Sequence, residues 1–407
     1  MKILIYSMNF SPEIAGIGKF SGEMAAWLNK RGHEIRVISA QPSFPDWKVF
    51  QGHRAAVYSK GVVNGITVFR TPTWIPTKPR AATRLLHLFS FMLSSMPALF
   101  AQILWRPDLI FVVEPPLACS PAALLFSKLS GCKCWLHVQD YEVDAAFDMG
   151  MLTGRRSRRF VGMVETFLLQ SFSRVSTIST KMIELAIKKG TAPEKLLLFP
   201  NWVDTHMIFP LERVSVFRKL LNIPREAIVV LYSGSMGQKQ GLGVVAEVTH
   251  KLAAEQNIHF VFCGNGPSKI EFAENCSHSG NVHFLGLQPL DKLNELLGVA
   301  DIHILPQRVE AADIVMPSKL TGMLASGKAV LVTAHAETEL GVVVAKCGIV
   351  VPPGEAGLLA DAIQSLATSH AMRTNLGKVG RLYAEREMQL DPILARVEGE
   401  MIKCVAE

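Results

Sequence analysis

The sequence lacks the cysteine spacings from which metal centres and disulfide frameworks are built. Its 7 cysteines stand singly along 407 residues apart from Cys132 and Cys134, with no C-x-x-C pair and no Cys/His ligand spacing. A zinc site and a stapled extracellular scaffold are excluded on that ground, and a reducing, cytoplasmic setting fits. A zinc finger, an RNP-like aromatic motif and a basic helix of the DNA-reading kind are missing too, so no nucleic acid partner is expected. No charge-free apolar run reaches clean transmembrane length, and Met1 to Met8 is too short and too strand-like for a signal peptide.

What is there suits a globular α/β enzyme long enough for two domains, with 49% hydrophobic and 19% charged residues. The charge is unevenly held. Residues 1–200 carry 24 Lys+Arg against 13 Asp+Glu, and the remainder 18 against 22. A basic first half points to an anionic membrane surface or to phosphorylated substrates.

In the first half, strands are expected at Lys2 to Tyr6, Glu34 to Ser39, Val68 to Thr71, Asp108 to Val113, Lys133 to Val138, Val175 to Ile178 and Leu196 to Phe199. Helical patterns lie between several of them, starting with Gly18 to Arg31, and the alternation predicts a doubly wound parallel sheet. Gly16 and Gly18 sit just before that first helix, a second candidate anion site beside an ordinary βα turn. Gln41 to Gly65, with Phe44, Pro45, Trp47 and Phe50, reads either as a lid or as a packed loop. Leu85 to Trp105 carries His87, Ser90, Ser94, Ala98 and Ala101 on a small-or-polar stripe opposite Leu88, Phe89, Met92, Met96, Leu99, Phe100 and Ile103. It reads as a helix sunk in a membrane interface or as a buried helix of the domain, and Pro97 argues against a straight span. Lys78, Arg80, Arg84 and Arg106 flank it, and Arg155, Arg156, Arg158 and Arg159 add positive charge at a helix start, where the dipole favours an anionic partner. The cluster His137, Gln139 and Asp140 ends a strand, where open α/β sheets bind ligands; a satisfied core histidine is the other reading.

The second half is organised around Tyr232 to Gly241, which follows the apolar run Ile228 to Leu231 and precedes Leu242 to Leu252. Strand, glycine turn and helix start, with Lys239 adding a charge, make a phosphate grip or an ordinary βα turn. The stretch is neither G-x-G-x-x-G nor G-x-x-x-x-G-K-[ST], so neither an NAD site nor a P-loop follows from it. Further strands are expected at Ile258 to Cys263, Val282 to Leu285 and Asp301 to Leu305, and a domain boundary at Leu198 to Asp204.

Taken in order, Gly16 and Gly18, Arg31 to Glu34, Pro200 to Asp204, Tyr232 to Gly234 with Lys239 to Gly241, Cys263 to Pro267, Phe284 to Gly286, Ala300-Asp301 and Pro317 to Lys319 resemble the retaining family-4 glycosyltransferases of the GT-B fold. The resemblance spans nearly the whole chain. Within that family, Gly16 to Phe20, Gly22 to Met24, His137 to Ala145, Phe199 to Trp202 and Pro317 to Thr321 resemble the WcaI group of colanic-acid-type exopolysaccharide synthesis, which is fucosyltransferase-like.

The resemblance implies two Rossmann-like domains facing a cleft: residues 1–200 binding the acceptor and associating with the membrane, 201–385 binding the nucleotide sugar, and 386–407 a C-terminal helix that packs back on the first domain. It implies transfer, with retention, from a nucleoside-diphosphate sugar, GDP-fucose-like among the options, to a lipid-diphosphate-linked sugar on the inner face of the cell membrane. No metal or cofactor is needed, because lysines and helix N-termini offset the diphosphate charge. Gly16, Gly18, Ser235, Lys239, Gly264, Asn265, Ser318 and Lys319 would line the donor, and His137, Asp140, Lys239 and Asp313 would carry catalysis. The chain departs from the family pattern in three places. Ser235 stands where many relatives have Arg, and Gln139 where relatives have His. Ile314 and Gly322 fall at the two positions of the family's Glu-x7-Glu pair, leaving Asp313 or Glu310 to hold the donor sugar. Two other functions stay open: a nucleotide-sugar epimerase of the same fold, and a catalytically degenerate nucleotide-sugar-binding scaffold.

Overall fold

The computed structural model describes residues 1–14, 16–77, 81–143, 155–237, 240–277, 280–308 and 316–407. The chain forms two compact units, Met1–Pro200 with Pro392–Glu407, and Asn201–Asp391.

The first unit is built on β1 (Lys2–Tyr6), β2 (Glu34–Ala40), β3 (Ser59–Val63), β4 (Ile66–Thr71), β5 (Leu109–Glu114), β6 (Lys133–Val138), β7 (Arg174–Thr177) and β8 (Leu196–Leu198). Their order across the sheet is β3-β4-β2-β1-β5-β6-β7-β8. All pairs are parallel except β3 with β4, and the central register sets Ile3 beside both Ile35 and Leu109. Ile3 to Ile5 and Leu109 to Val112 are fully buried, as strands covered on both faces must be. Helices accompany them among the described residues: α1 (Gly16–Lys30), α2 (Ala81–Phe100), α3 (Ser120–Ser130), α4 (Arg155–Ser171) and α5 (Thr180–Lys188). From β1 the chain steps outward through β2 to β4, then returns to β5 beside β1, so the topological switch point lies between β1 and β5.

The second unit carries β9 (Ile228–Ser233), β10 (Ile258–Cys263), β11 (Val282–Leu285), β12 (Ile302–Leu305), β13 (Ala329–Thr333) and β14 (Ile349–Val351), with order β11-β10-β9-β12-β13-β14 and every pair parallel. Its helices are α6 (Val216–Leu220), α7 (Leu242–Lys251), α8 (Lys269–Asn275), α9 (Leu293–Leu297), α10 (Lys319–Ala325), α11 (Glu339–Val344), α12 (Ala356–Thr368) and α13 (His370–Glu387). Side chains alternate across the sheet. Val229 and Leu231 join Leu320, Met323 and Leu324 in one core, while Val230 and Tyr232 join Leu242, Val245 and Ile363 in the other. The switch point here lies between β9 and β12.

The last helix, α14 (Leu390–Ala406), belongs to the first unit from Pro392 on. Glu398 accepts from Arg31 Nη2 at 2.9 Å and pairs with His33 Nε2 at 2.8 Å. Arg31 and His33 lie in the turn that closes α1, so that turn has a partner more than three hundred residues further along the chain.

Two expectations need correction. Gln41 to Gly65 is not one loop: its second part is the edge strand β3, and its first is tied down by Phe50 N to Pro42 O at 3.0 Å and Thr73 N to Ala55 O at 2.9 Å. The helical stretch Ala82–Trp105 is, by length and composition, long and apolar enough to cross a membrane, contrary to the reading that no run reaches that length. A helix docked on a domain meets the same test, and this one packs on the sheet through a line unlike the anticipated stripe. His87, Phe91, Ser95, Leu99 and Gln102 are buried. Ser95 Oγ meets Tyr6 Oη at 2.5 Å, and Gln102 Oε1 accepts from Arg36 Nη1 at 3.0 Å. Leu86, Phe89, Leu93 and Leu104 point outward, Leu104 with 92% of its surface exposed.

Candidate functional site

In the second unit the turns after β9, β10 and β12 converge beside the switch point, and glycines set how closely they meet. Gly264 has φ +151°, and a Cβ there would lie 1.9 Å from Gly234 O; Gly266 has φ +158°, and a Cβ there would lie 2.3 Å from Met236 O. Any side chain would drive the turns apart. The turns are tied by Gly234 N to Cys263 O at 2.9 Å, Met236 N to Asn265 O at 2.9 Å and Ser268 N to Met236 O at 3.0 Å. Gly241, with φ +61°, starts α7 against the Gln307 carbonyl.

Into this floor projects Lys319, the first residue of α10. Its Nζ donates to Tyr232 Oη at 2.8 Å and lies 4.4 Å from the centre of that ring. Its methylenes fill the space a Cβ on Gly234 would need, at 2.8 and 2.9 Å. Tyr232 is held by its own hydroxyl, which donates to Ser235 O. No carboxylate pairs with Lys319 among the described residues, and burial pushes its pKa down from 10.5 to about 8. A desolvated ammonium without a counter-charge attracts an anion strongly, because both its charge and its lost hydration are then compensated. Ser318 sits at the start of α10 with no cap bond from its side chain. The structure therefore brings together Gly234, Ser235, Gly264, Asn265, Ser318 and Lys319. Lys239, Glu310 and Asp313 lie outside the described residues, as does Ile314.

In the first unit the edge beyond β1 and β5 is organised by buried charge. Glu13, 3% exposed, accepts from Ser43 N, Phe44 N and Asn9 Nδ2, each at 2.9 Å. Burial raises its pKa despite those bonds and the nearby Arg70. Arg70 is itself buried and donates to Ser39 Oγ at 2.8 Å, Ala40 O at 3.0 Å and Ser11 O. Gly16, φ +58°, opens α1, and Gly18 leaves room for Glu13, whose carboxylate oxygen would be 2.8 Å from a Cβ there. Glu13 and Arg70 were missed in the sequence. A lone acid and a strand arginine look like surface residues until tertiary structure buries them.

His137 is the penultimate residue of β6 and is 4% exposed. Gln139 Nε2 lies 2.9 Å from His137 Nε2, an amide donor against a ring acceptor, which puts the ring proton on Nδ1, 2.9 Å from Ser176 Oγ. Burial pushes its pKa down to about 3, and Phe199 packs on it at 4.7 Å. These are the surroundings of a satisfied, neutral core histidine, the second of the two readings above. Asp140 follows at the strand end and acts electrostatically on two buried carboxyls. Glu142, which accepts from Leu117 N at 2.7 Å, is pushed up to about 7, first by burial; Glu114, fully buried with neither oxygen hydrogen-bonded among the described residues, is raised well above the usual carboxylate range, first by burial and then by Glu142. No cluster of His, Cys, Asp and Glu able to hold a metal occurs among the described residues.

Two doubly wound α/β units, each with its binding edge at a switch point, define the GT-B class. Residues 15–202 match the glycosyl transferase 4-like domain and residues 215–383 the glycosyl transferases group 1 domain. The chain is 39% identical over 407 residues to the putative colanic acid biosynthesis glycosyl transferase WcaI of Escherichia coli (strain K12), covering 97% of this chain and 98% of that one. It belongs to that glycosyltransferase family and is a glycosyltransferase. Among solved structures it resembles sucrose-phosphate synthase from Thermosynechococcus elongatus (TM-score 0.78, 15% identity, 100% of this chain and 99% of that one). It also resembles Anabaena HepE in complex with UDP and glucose (TM-score 0.71, 14% identity, 99% of this chain and 100% of that one). At such identities the likeness is one of fold.

Proposed function

We propose that the protein transfers a sugar, with retention of configuration, from a nucleoside-diphosphate sugar to a lipid-diphosphate-linked glycan in exopolysaccharide synthesis of the colanic acid kind. The observation that carries the donor half is Lys319, an ammonium without a carboxylate partner among the described residues, beside Gly234 and Ser318 at a switch point. A diphosphate seated there would be met by the Lys319 charge and by the backbone N–H groups opened by the glycine turns. Negative charge accumulates on the departing diphosphate as the glycosidic bond breaks, so fixed cations act most strongly in the transition state. Lys239 shares that role, and Asp313 or else Glu310 holds the sugar hydroxyls. The lysines take the part that a divalent metal plays elsewhere.

The acceptor half rests on the first unit's surface. Neighbouring helices α2, α3 and α4 expose Leu86, Phe89, Leu93, Leu125, Leu129, Phe160, Met163 and Phe167 beside Arg84, Lys128, Arg158 and Arg159. Apolar side chains with basic residues are the two signals of a protein lying on an anionic leaflet. A groove of about 510 Å³ lined among others by Arg158, Arg159, Lys188, Met163 and Phe167, with Lys189 paired to Glu165 in its wall, suits a lipid phosphate beside its chain. The membrane is then the inner face of the cell membrane, where nucleotide sugars are available.

The test is product analysis. Purified protein with a panel of nucleoside-diphosphate sugars and short-chain lipid-diphosphate glycans should form one glycolipid whose new linkage keeps the donor's anomeric configuration by NMR. Free epimerised sugar without acceptor would make it an epimerase, and donor binding with no turnover on any acceptor a scaffold.

A further inference from the structure

The second unit has a cavity of about 520 Å³ at the other edge of its sheet, lined among others by Asp301, Lys328, His370, Arg373, Lys378 and Arg381. Asp301 and Lys328 immediately precede β12 and β13, whereas Gly234 and Gly264 follow the parallel strands β9 and β10. The cavity is thus a strand length from the donor turns, roughly 15 Å at 3.3 Å per residue.

Its charges are not balanced. Asp301 Oδ2 is engaged by Arg218 Nη2 at 2.6 Å and by Val229 N at 2.8 Å. Arg381 is paired with the Glu385 carboxylate at 2.7 Å and spent on the carbonyls of Ile208, Ala325 and Thr205 at 2.7, 2.8 and 3.1 Å, while Arg373 donates to those of Leu366 and Ala367 at the end of α12. The Arg373 charge stays in the cavity wall although its donors are partly used. Lys328 and Lys378 have no hydrogen-bond or ion-pair partner among the described residues, and Lys328 is half-buried. The wall is rigid: a Cβ on Gly377 would lie 2.2 Å from Gly327 O, so α13 is packed backbone to backbone against the turn that carries Lys328. Lys328, Lys378 and Arg373 leave three cations around one cavity whose lining carboxylate, Asp301, is already paired, and they raise the local potential and cost free energy until an anion enters. Burial lowers the Lys328 pKa and Arg218 adds to it, against the opposing pull of Asp301.

We propose that this cavity binds a small soluble phosphate-bearing anion between Lys328, Lys378 and Arg373, apart from the donor edge. Phosphate offers the charge and the several acceptor oxygens that two ammonium groups and a guanidinium can share. Binding should shield the two lysines from acylation.

The experiment is limited acetylation of the full chain with acetic anhydride, read lysine by lysine by mass spectrometry, with exposed Lys251 as internal reference. Inorganic phosphate should protect Lys328 and Lys378 severalfold relative to Lys251, while chloride at equal ionic strength does not. Because Lys378 is exposed, Lys378→Gln should fold normally and shift the midpoint of Lys328 protection about threefold to fivefold, the size of one exposed charge contact. Equal protection by chloride, or an unchanged midpoint in Lys378→Gln, would overturn the proposal. Protection by phosphatidylglycerol vesicles but not by phosphate would overturn it as well, in favour of a lipid surface.

Discussion

The two binding edges are made in opposite ways. The second unit's edge is built of backbone against backbone, with glycines at contacts no side chain could share and one lysine laid across them. The first unit's edge is built of buried charge: Glu13 gathering three donors, Arg70 tying the β2 and β4 ends to the first turn, and Glu114 and Glu142 crowded below Asp140. A glycine frame is fixed whatever the pH and leaves its N–H groups for a ligand. A charged frame holds loops in place at a cost in desolvation, and its strength varies with protonation.

The contrast predicts where substitutions hurt most. Gly264→Ala should be the most damaging, because it meets the Gly234 carbonyl from a backbone conformation that is almost exclusively glycine's. A loss of about 3 kcal/mol or more in the second unit is expected from strain plus overpacking, read as a lower denaturation midpoint with donor binding lost. Lys239→Ala should lower kcat by roughly 10² to 10³ with a smaller change in donor affinity, as for loss of one transition-state donor, and Lys239→Arg should recover part. Single-turnover kinetics separate the two effects.

The charged groups set on the two edges should respond oppositely to pH. Lys319 has a folded pKa of about 8, below its ordinary 10.5, so between those values the unfolded chain holds a proton that the folded one lacks. Stability of the second unit should rise with pH through that window, and below about 8 the full cost of the buried ammonium is present. Lys319→Met should accordingly be more stable than the parent at pH 7 although it loses donor binding, with the difference shrinking toward pH 10. Glu142, raised from 4.5 to about 7, and Glu114, raised well above its ordinary value, work the other way: the folded state holds the extra protons, so the first unit loses stability as pH climbs above 4.5. Glu114→Gln keeps the shape and removes the charge. It should raise the melting temperature at pH 8 and change little at pH 4. The smallest effect expected is at the membrane. Arg158→Gln with Arg159→Gln should move protein from vesicle pellet to supernatant, each charge being worth about 1 kcal/mol, and unchanged partitioning would count against the arginines.

The same contrast explains what could be read from the chain alone. Ile228 to Leu231 announced itself as an unbroken apolar run, and Ile258 to Cys263 and Lys133 to Val138 as mostly apolar ones interrupted by His259 and His137, because strands covered on both faces need no alternation. The glycines of the donor edge were legible for a similar reason: their spacing along the chain reports a backbone requirement that is local. β3 was not legible, since Ser59 to Val63 is an exposed edge strand whose pattern depends on β4 beside it. The buried face of α2 was misjudged because Ser95 and His87 are polar, and only Tyr6 and the Trp74 carbonyl make them suitable for the interior. Glu13, Arg70 and Glu114 share that history: each is a charge whose burial is decided by segments far away in sequence.

The central claim is that the Lys319 ammonium receives the donor diphosphate, and calorimetry across pH tests it most directly. UDP and GDP should be titrated into the protein from pH 6.5 to 9.5 in buffers of differing ionisation heat. The nucleotide that binds should lose affinity above about pH 8, by up to tenfold per pH unit, and should take up a proton as it binds near pH 9, because the diphosphate restores the charge that burial suppresses. Lys319→Met should bind weakly and without proton uptake. Affinity independent of pH with no proton taken up, or a Lys319→Met protein that binds as tightly as the parent, would contradict the account.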